Sequence, residues 1–164
     1  MAKHNYLVEG ISGSGKSTVC QEPENRGYHA IEADHVFGYF GDPKTGKPTT
    51  EKSQLNWIWD VEKVDAVLGD SSRDITFVCG GAMNQQKLEH HFDKIFILQV
   101  DDATLKDRIM SRTSHDFGKK PEDLARQLEW NKGVDTYARQ KGAVLIDASH
   151  PIEKVVDDIL SNLK

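Results

Sequence analysis

Apolar residues fall into short, nearly continuous runs separated by longer stretches with helical spacing. Asn5-Tyr6-Leu7-Val8-Glu9, Ile75-Thr76-Phe77-Val78-Cys79, Lys94-Ile95-Phe96-Ile97-Leu98-Gln99-Val100 and Ala143-Val144-Leu145-Ile146-Asp147 are rich in β-branched and aromatic residues. Such runs predict strands covered on both faces. Tyr28-His29-Ala30-Ile31-Glu32 is a weaker strand candidate. Asp101 and Asp102 stand where a cap would precede a helix carrying Leu105 and Ile109 four apart. Pro151 occupies the place of a first helical residue, and Ile152, Val155, Val156, Ile159, Leu160 and Leu163 then trace one apolar face. Strand–helix alternation along the whole chain predicts an α/β fold, a parallel sheet sandwiched by helices.

Two stretches interrupt this pattern. Residues 38–48 hold three glycines and two prolines, and 114–121 lie between two helical patterns. Irregular loops of this kind either connect elements on the surface or serve as lids, and mobile loops are expected at about 38–50 and 114–121. Pro23 falls in the helix expected after residue 15. It lacks an N–H and collides with the carbonyl of Val19, which predicts a kink or an early end near Glu22. The 164 residues are a prior for one domain spanning 1–164.

Charge and composition narrow the function classes. Lys and Arg number 21 against 26 Asp and Glu, a formal net charge of -5. With a pI of 5.8, this argues against a general nucleic-acid coat or a polybasic membrane anchor. Mean hydropathy is -0.59, and no apolar run approaches the ~20 residues of a membrane span. The apolar segment Tyr6 to Val8 is too short for a signal peptide. Cys20 and Cys79 have neither metal-ligand nor disulfide-framework spacing, so a reducing cytoplasm is expected. The seven histidines show no metal-binding spacing.

The sharpest chemical signal is Gly10-Ile11-Ser12-Gly13-Ser14-Gly15-Lys16-Ser17-Thr18, which fits G-x-x-x-x-G-K-[ST] completely. A strand precedes it and a helix is expected from about Lys16, so backbone N–H groups and the positive helix end face the same anion. Gly10, Ser12, Gly13, Ser14, Gly15, Lys16, Ser17 and Thr18 are therefore candidate phosphate-binding residues. Lys16 is placed to reach the β/γ-phosphates and the Ser17 hydroxyl to ligate Mg²⁺.

Other candidates lie at the ends of the later strands. Glu32 and Asp34, two apart on a strand, would share a face at the carboxyl edge of the sheet. They read as a metal-side carboxylate and an acceptor-side carboxylate, or as a solvated pair closing the strand. Gly80 and Gly81 allow close backbone approach to a ligand, with Asn84 as a further donor, or simply form a tight turn. Arg108 and Arg112 are four apart on a helix, and an anion between them would offset their repulsion. Arg126 could join them, and surface pairing with carboxylates is the competing reading of all three. Asp101 ends a strand as a Walker-B aspartate would, yet serves as well as a helix cap. Trp57 and Trp59 either stack on a substrate ring or pack in the core.

These motifs resemble the small P-loop kinases of the adenylate, shikimate and gluconate kinase superfamily, and the order of elements extends the resemblance over nearly the whole chain. Within that group the chain is most similar to bacterial nucleoside-kinase-like proteins. Glu32-x-Asp34 resembles the D-x-D of shikimate and gluconate kinases. Cys79-Gly80-Gly81-Ala82 resembles the acceptor-side glycine cluster of shikimate kinases. Leu105-x-x-Arg108-x-x-x-Arg112 resembles the start of an adenylate kinase lid, and Ile146 to Pro151 the final strand and turn bordering adenine. The resemblance implies a three-layer P-loop kinase fold with a five-stranded parallel sheet of order 2-3-1-4-5 and a short lid. It also implies ATP and Mg²⁺ as donor and metal, and a small-molecule acceptor such as a nucleoside, a nucleotide or a shikimate- or gluconate-like hydroxyl. Lys16, Asp34 and Arg112 would be catalytic, Arg108 would pack on adenine, and Glu32 and Ser17 would hold the metal. Gly80, Gly81, Asn84 and Arg126, with Asp34, would bind the acceptor. His35, Val36, Phe37 and Gly38 stand where relatives acting on nucleotides or nucleic-acid ends carry arginines. That departure argues against a nucleic-acid acceptor. An ATP-binding switch or slow ATPase without a small acceptor is the alternative.

Overall fold

The computed structural model describes residues 4–11, 14–70, 72–113 and 119–163. In chain order the strands are β1 (His4–Glu9), β2 (His29–Glu32), β3 (Gly38–Phe40), β4 (Trp57–Trp59), β5 (Ile75–Cys79), β6 (Lys94–Gln99) and β7 (Val144–Asp147). The helices are α1 (Lys16–Asn25), α2 (Ala33–Phe37), α3 (Val61–Leu68), α4 (Asp102–Ser111), α5 (Pro121–Lys132), α6 (Val134–Lys141) and α7 (Ile152–Ser161). Short 3₁₀ turns cover Gln54–Asn56, Gln85–Lys87 and Glu89–His91.

Five strands form one parallel sheet in the order β2-β5-β1-β6-β7. Counting that sheet's strands alone, the order is 2-3-1-4-5, as expected. The chain lays β2 and β5 on one side of β1, then crosses to place β6 and β7 on the other. This reversal puts a crevice beyond the carboxyl end of β1, where open α/β sheets bind ligands.

Alternation along the strands supplies both cores. Tyr6, Val8, Phe77, Phe96 and Leu98 pack against Val19 of α1, Leu105 and Ile109 of α4, and Val155, Val156 and Ile159 of α7. Leu7, Ile31 and Val78 face the opposite way, against Phe37, Trp59, Val64, Leu68 and Leu88. Further along that second face, Ile97 packs with Val134 and Ala138 of α6. The expected strands are all present, with ends shifted by a residue or two. Helix α7 begins at Ile152, with Pro151 in the cap position.

Two sequence expectations change, and one open alternative is resolved. Pro23 does not end α1 at Glu22, because the helix continues to Asn25 with the proline in its last turn. There the missing N–H costs one bond, while the Pro23 carbonyl accepts from Arg26 N (3.1 Å) and Tyr28 N (2.9 Å). Arg26 ties the helix end to Glu22 at 3.0 Å and to Asp157 of α7 at 2.6 Å. The stretch expected to be irregular from residue 38 opens with a strand, since β3 pairs antiparallel with β4, Gly38 opposite Trp59 and Phe40 opposite Trp57. Finally, Asp101 is the cap of α4, accepting from Thr104 N at 2.8 Å and Thr104 Oγ1 at 3.0 Å. Residues 114–118 of the second expected loop lie outside the described residues.

Phe96 is fully buried on the α1–α4–α7 side of the sheet. Phe96→Ala is expected to cost about 3–5 kcal/mol of stability. In urea unfolding this reads as a lower midpoint at unchanged slope.

Candidate active site

A cavity of 1490 Å³ opens at the carboxyl edge of the sheet. Gly10, Ser14, Gly15, Lys16 and Thr18 line one side of it, and Arg108, Arg112 and Ala148 complete that half. Glu32, Asp34, Gly80 and Gly81 line the facing half together with Phe40, Gln54 and Trp57. Most of the predicted site residues therefore meet in one place.

On the phosphate-loop side, the turn closes through Ser14 N donating to Ile11 O (3.0 Å) and Val19 N to Gly15 O (2.9 Å). Gly15 has φ +102°, which glycine alone adopts without strain. A Cβ at Gly10 would stand 2.5 Å from Ser14 Oγ. That hydroxyl is buried and has no hydrogen-bond partner among the described residues. An unpartnered hydroxyl inside an N–H-rich turn fits a loop that takes an anion. Lys16 Nζ donates to the Gly10 carbonyl. Burial pushes the Lys16 ammonium down, opposed by the negative charges of Asp34 and Glu9. Ser12, Gly13 and the Ser17 side chain lie outside the described part of the structure.

Arg108 reaches from α4 across the loop. Its Nη1 donates to Ser14 O (3.1 Å) and its Nη2 to Ala148 O (3.0 Å), tying α4, the phosphate loop and the turn after β7 together. Arg112 is the residue after α4, half-buried at the cavity wall, and burial lowers its guanidinium pKa. Arg126 does not join them. It pairs with Asp123 at 3.1 Å and is not among the residues lining the cavity. The i,i+3 spacing on α5 favours this local ion pair over a reach across the crevice.

The two carboxylates do not sit on one strand. Glu32 ends β2, whereas Asp34 lies in the first turn of α2. Both still line the cavity, because α2 starts directly at the sheet edge. His35 Nδ1 is 3.7 Å from Glu32, an ion-pair distance beyond hydrogen-bond length, and carboxylate oxygens at a cavity wall are the donor type a hard cation takes. Asp34 Oδ1 accepts from the indole Nε1 of both Trp57 and Trp59, each at 2.9 Å. The tryptophans are thus neither simple core nor a free stacking platform. Trp59 is fully buried, while Trp57 is half-buried and contributes cavity wall.

Gly80 backs Asp34. It has φ +149°, and a Cβ there would lie 2.9 Å from Trp59 and 3.1 Å from Asp34 Oδ1. Gly81 has open space around it. Asn84 is committed to structure, since its amide donates to Trp59 O (2.9 Å) and accepts from Trp59 N (3.0 Å). It is buried and is not among the residues lining the cavity, so it does not join the acceptor-side candidates there.

The sequence reading missed a second buried charge. Glu9 ends β1 immediately before the phosphate loop and is only 6% exposed. It bonds Gln85 and Tyr137, with Lys141 nearby. Burial raises the Glu9 carboxyl, against the opposing pull of those partners and of Lys16. Tyr137 is pushed up to about 12 by burial and then by Glu9. The available signal was a carboxylate closing an otherwise apolar strand. Away from the cavity, His90 and His91 lie beside Asp65 at the surface, with His91 2.6 Å from it.

No protein-family model matches the chain. Over 172 residues it is 24% identical to the thermoresistant gluconokinase of Escherichia coli (strain K12), covering 98% of this chain and 94% of that protein. The shikimate kinase of Acinetobacter baumannii, solved with shikimate, superposes with a TM-score of 0.61 at 16% identity, covering 99% of this chain and 97% of that one. The deoxyadenosine kinase of M. mycoides, solved with dATP, gives a TM-score of 0.57 at 15% identity and covers 98% of both chains. The chain has the α/β fold of the small P-loop kinases.

Two predictions follow from this geometry. Gly80→Ala forces a side chain into a left-handed conformation against Trp59 and Asp34, and should cost about 1–3 kcal/mol. Gly81→Ala should stay within about 0.5 kcal/mol of wild type. Thermal unfolding of the two variants side by side checks both. Glu9 makes stability depend on pH. Its folded-state pKa is raised, so its contribution is intact below the ordinary carboxyl value of 4.5 and is lost as pH rises through the raised value. Glu9→Gln lacks that loss, so it should be more stable than wild type at neutral pH, the gain shrinking on acidification. A gain that grows on acidification would show that Gln85, Tyr137 and Lys141 outweigh burial.

Proposed function

We propose that this protein is an ATP- and Mg²⁺-dependent phosphotransferase that moves the γ-phosphoryl group to a hydroxyl of a small-molecule acceptor. The observation that carries this reading is the meeting of Lys16 and Asp34 across one cavity. An anion-binding turn and a carboxylate able to take a hydroxyl proton face each other at the carboxyl edge of the sheet. The similarity to a gluconokinase over nearly the whole chain supports it.

Phosphoryl transfer asks the protein mainly for positioning and charge stabilisation. The backbone from Gly10 to Thr18 would hold the phosphates, with Lys16 leaving the Gly10 carbonyl for their oxygens. Arg108, already spanning Ser14 and Ala148, would border the base. Arg112 would face charge developing on the transferred group, and Asp34 would orient the acceptor hydroxyl and receive its proton. Ser17 and Glu32 would hold Mg²⁺, whose chemistry is to neutralise charge on the phosphates. Gly80 and Gly81 would let the acceptor approach the backbone. The free, buried thiols of Cys20 and Cys79 fit a reducing cytoplasm. Among the described residues no helix is long and apolar enough to cross a membrane.

The test is ADP formation with ATP and Mg²⁺ against a panel of gluconate, shikimate, deoxyadenosine and related hydroxyl compounds. At least one acceptor should raise ADP release well above the rate without acceptor, and chelation of the metal should abolish it. Lys16→Ala should lower turnover by about 10²-fold or more. Asp34→Asn should lower it by about 10²–10⁴-fold while ATP still binds. Release of ADP independent of every acceptor would instead mark a switch or slow ATPase.

A further inference from the structure

Strand β4 reads Trp57-Ile58-Trp59, and residues two apart on a strand share a face. Both indoles therefore leave the β3–β4 hairpin on the same side, and both N–H groups end on one atom, Asp34 Oδ1. An indole N–H can only donate, and a hydrogen bond to an ionised carboxylate is about twice as strong as a neutral one. Gly80 closes a third side of the same oxygen, so nothing larger than its hydrogen fits there. Among the described residues, nothing donates to Asp34 Oδ2.

The hairpin is itself anchored to the sheet edge. Asn84 holds Trp59 by both backbone groups, Met83 N donates to Trp57 O (2.9 Å), and Asp60 N donates to Phe37 O at the end of α2 (2.8 Å). Phe37 packs tilted on Trp59 and Phe40 edgewise on Trp57, with centroids 6.1 and 5.0 Å apart. The two donors are thus fixed relative to β5 and α2 rather than carried on a loose loop.

We propose that Trp57 and Trp59 are positioning residues for phosphoryl transfer: they hold Asp34 by one oxygen so that Oδ2 alone is presented to the acceptor. This rests on Asp34 being the group that receives the acceptor's proton. That proton passes from the hydroxyl to Oδ2 as the acceptor oxygen bonds to the γ-phosphorus. The bond from that phosphorus to the β,γ-bridging oxygen breaks, and its electron pair leaves with ADP.

The whole protein, with ¹⁵N-labelled tryptophan, provides a test that needs no acceptor. Of its three tryptophans, Trp130 serves as an internal reference, and the Trp57→Phe and Trp59→Phe variants assign the other two indole N–H signals. Asp34→Asn should move the Trp57 and Trp59 signals and leave that of Trp130 in place. Unmoved signals overturn the carboxylate clamp. The kinetic arm uses whichever panel compound gives acceptor-dependent ADP. Trp57→Phe and Trp59→Phe keep an aromatic ring but remove the N–H donor, and should lower kcat between about tenfold and a hundredfold at unchanged KM for ATP. In the Asp34→Asn background neither should lower it further. An equal loss in that background would make the tryptophans merely structural and overturn the proposal. Trp57, being half-buried, keeps this arm decisive if Trp59→Phe does not fold. Absence of turnover with every compound sinks the kinase reading and the positioning role together. Unmoved indole signals with turnover intact sink the clamp alone.

Discussion

The lysine that opens α1, Lys16, stands half-buried at the cavity, and burial lowers the pKa of its ammonium. The negative charges of Asp34 and Glu9 oppose that shift, and the Gly10 carbonyl is the ammonium's immediate partner. Each of those groups needs an element to deliver it. Glu9 and Gly10 come from β1 and the turn that follows it, and Asp34 comes from α2. The strand order that places β2 and β5 on one side of β1 brings that helix to the mouth of the crevice. Charge is also gathered locally: Lys16, Arg108 and Arg112 line one cavity in a chain of net charge -5.

Keeping the carboxylates apart is the complementary problem. Glu9 and Asp34 both face the ammonium, yet their surroundings differ. Glu9 is enclosed by Gln85, Tyr137 and Lys141 and is raised by burial. Asp34 has one oxygen filled by indole donors and the other left to the cavity. Environments of that contrast leave one carboxylate enclosed by protein partners and the other at the cavity wall, held through a single oxygen.

Most of the fold was legible because it rests on local pattern. The four strong apolar runs became sheet strands, and the three-four spacing after Pro151 became α7. The G-x-x-x-x-G-K-[ST] motif pointed to the cavity from a short list of residues, since they are contiguous in sequence, and Gly10, Ser14, Gly15, Lys16 and Thr18 line it. The acceptor side was less legible because tertiary contacts decide it. The spacing of Glu32 and Asp34 suggested two residues on one strand, but a helix begins between them. Asn84 looked like a free donor until the backbone of Trp59, distant in sequence, occupied its amide. Arg126 was drawn to a carboxylate one turn away instead of to the crevice. The strand at Gly38–Phe40 was hidden by the glycines and prolines around it, since three residues are too few to show a period.

This difference between the two sides has a physical consequence for specificity. The donor half is built from β1, α1 and α4, which also carry the core: Val8, Val19, Leu105 and Ile109 are buried together directly beneath it. Changes there disturb core packing and the cavity wall at once. The acceptor wall is built largely from the β3–β4 hairpin and the turn after β5, which join the sheet only at its edge. Phe40, Gln54 and Trp57 line the cavity without being fully buried. Their side chains can therefore be exchanged with little loss of core, while the backbone bonds to Asn84 and Met83 keep the hairpin in place. Within a fold shared with kinases named for gluconate, shikimate and deoxyadenosine, this wall is the part of the cavity most open to change. Substitution there is limited at one point, because Trp57 and Trp59 of the hairpin both donate to Asp34 Oδ1 at the cavity wall.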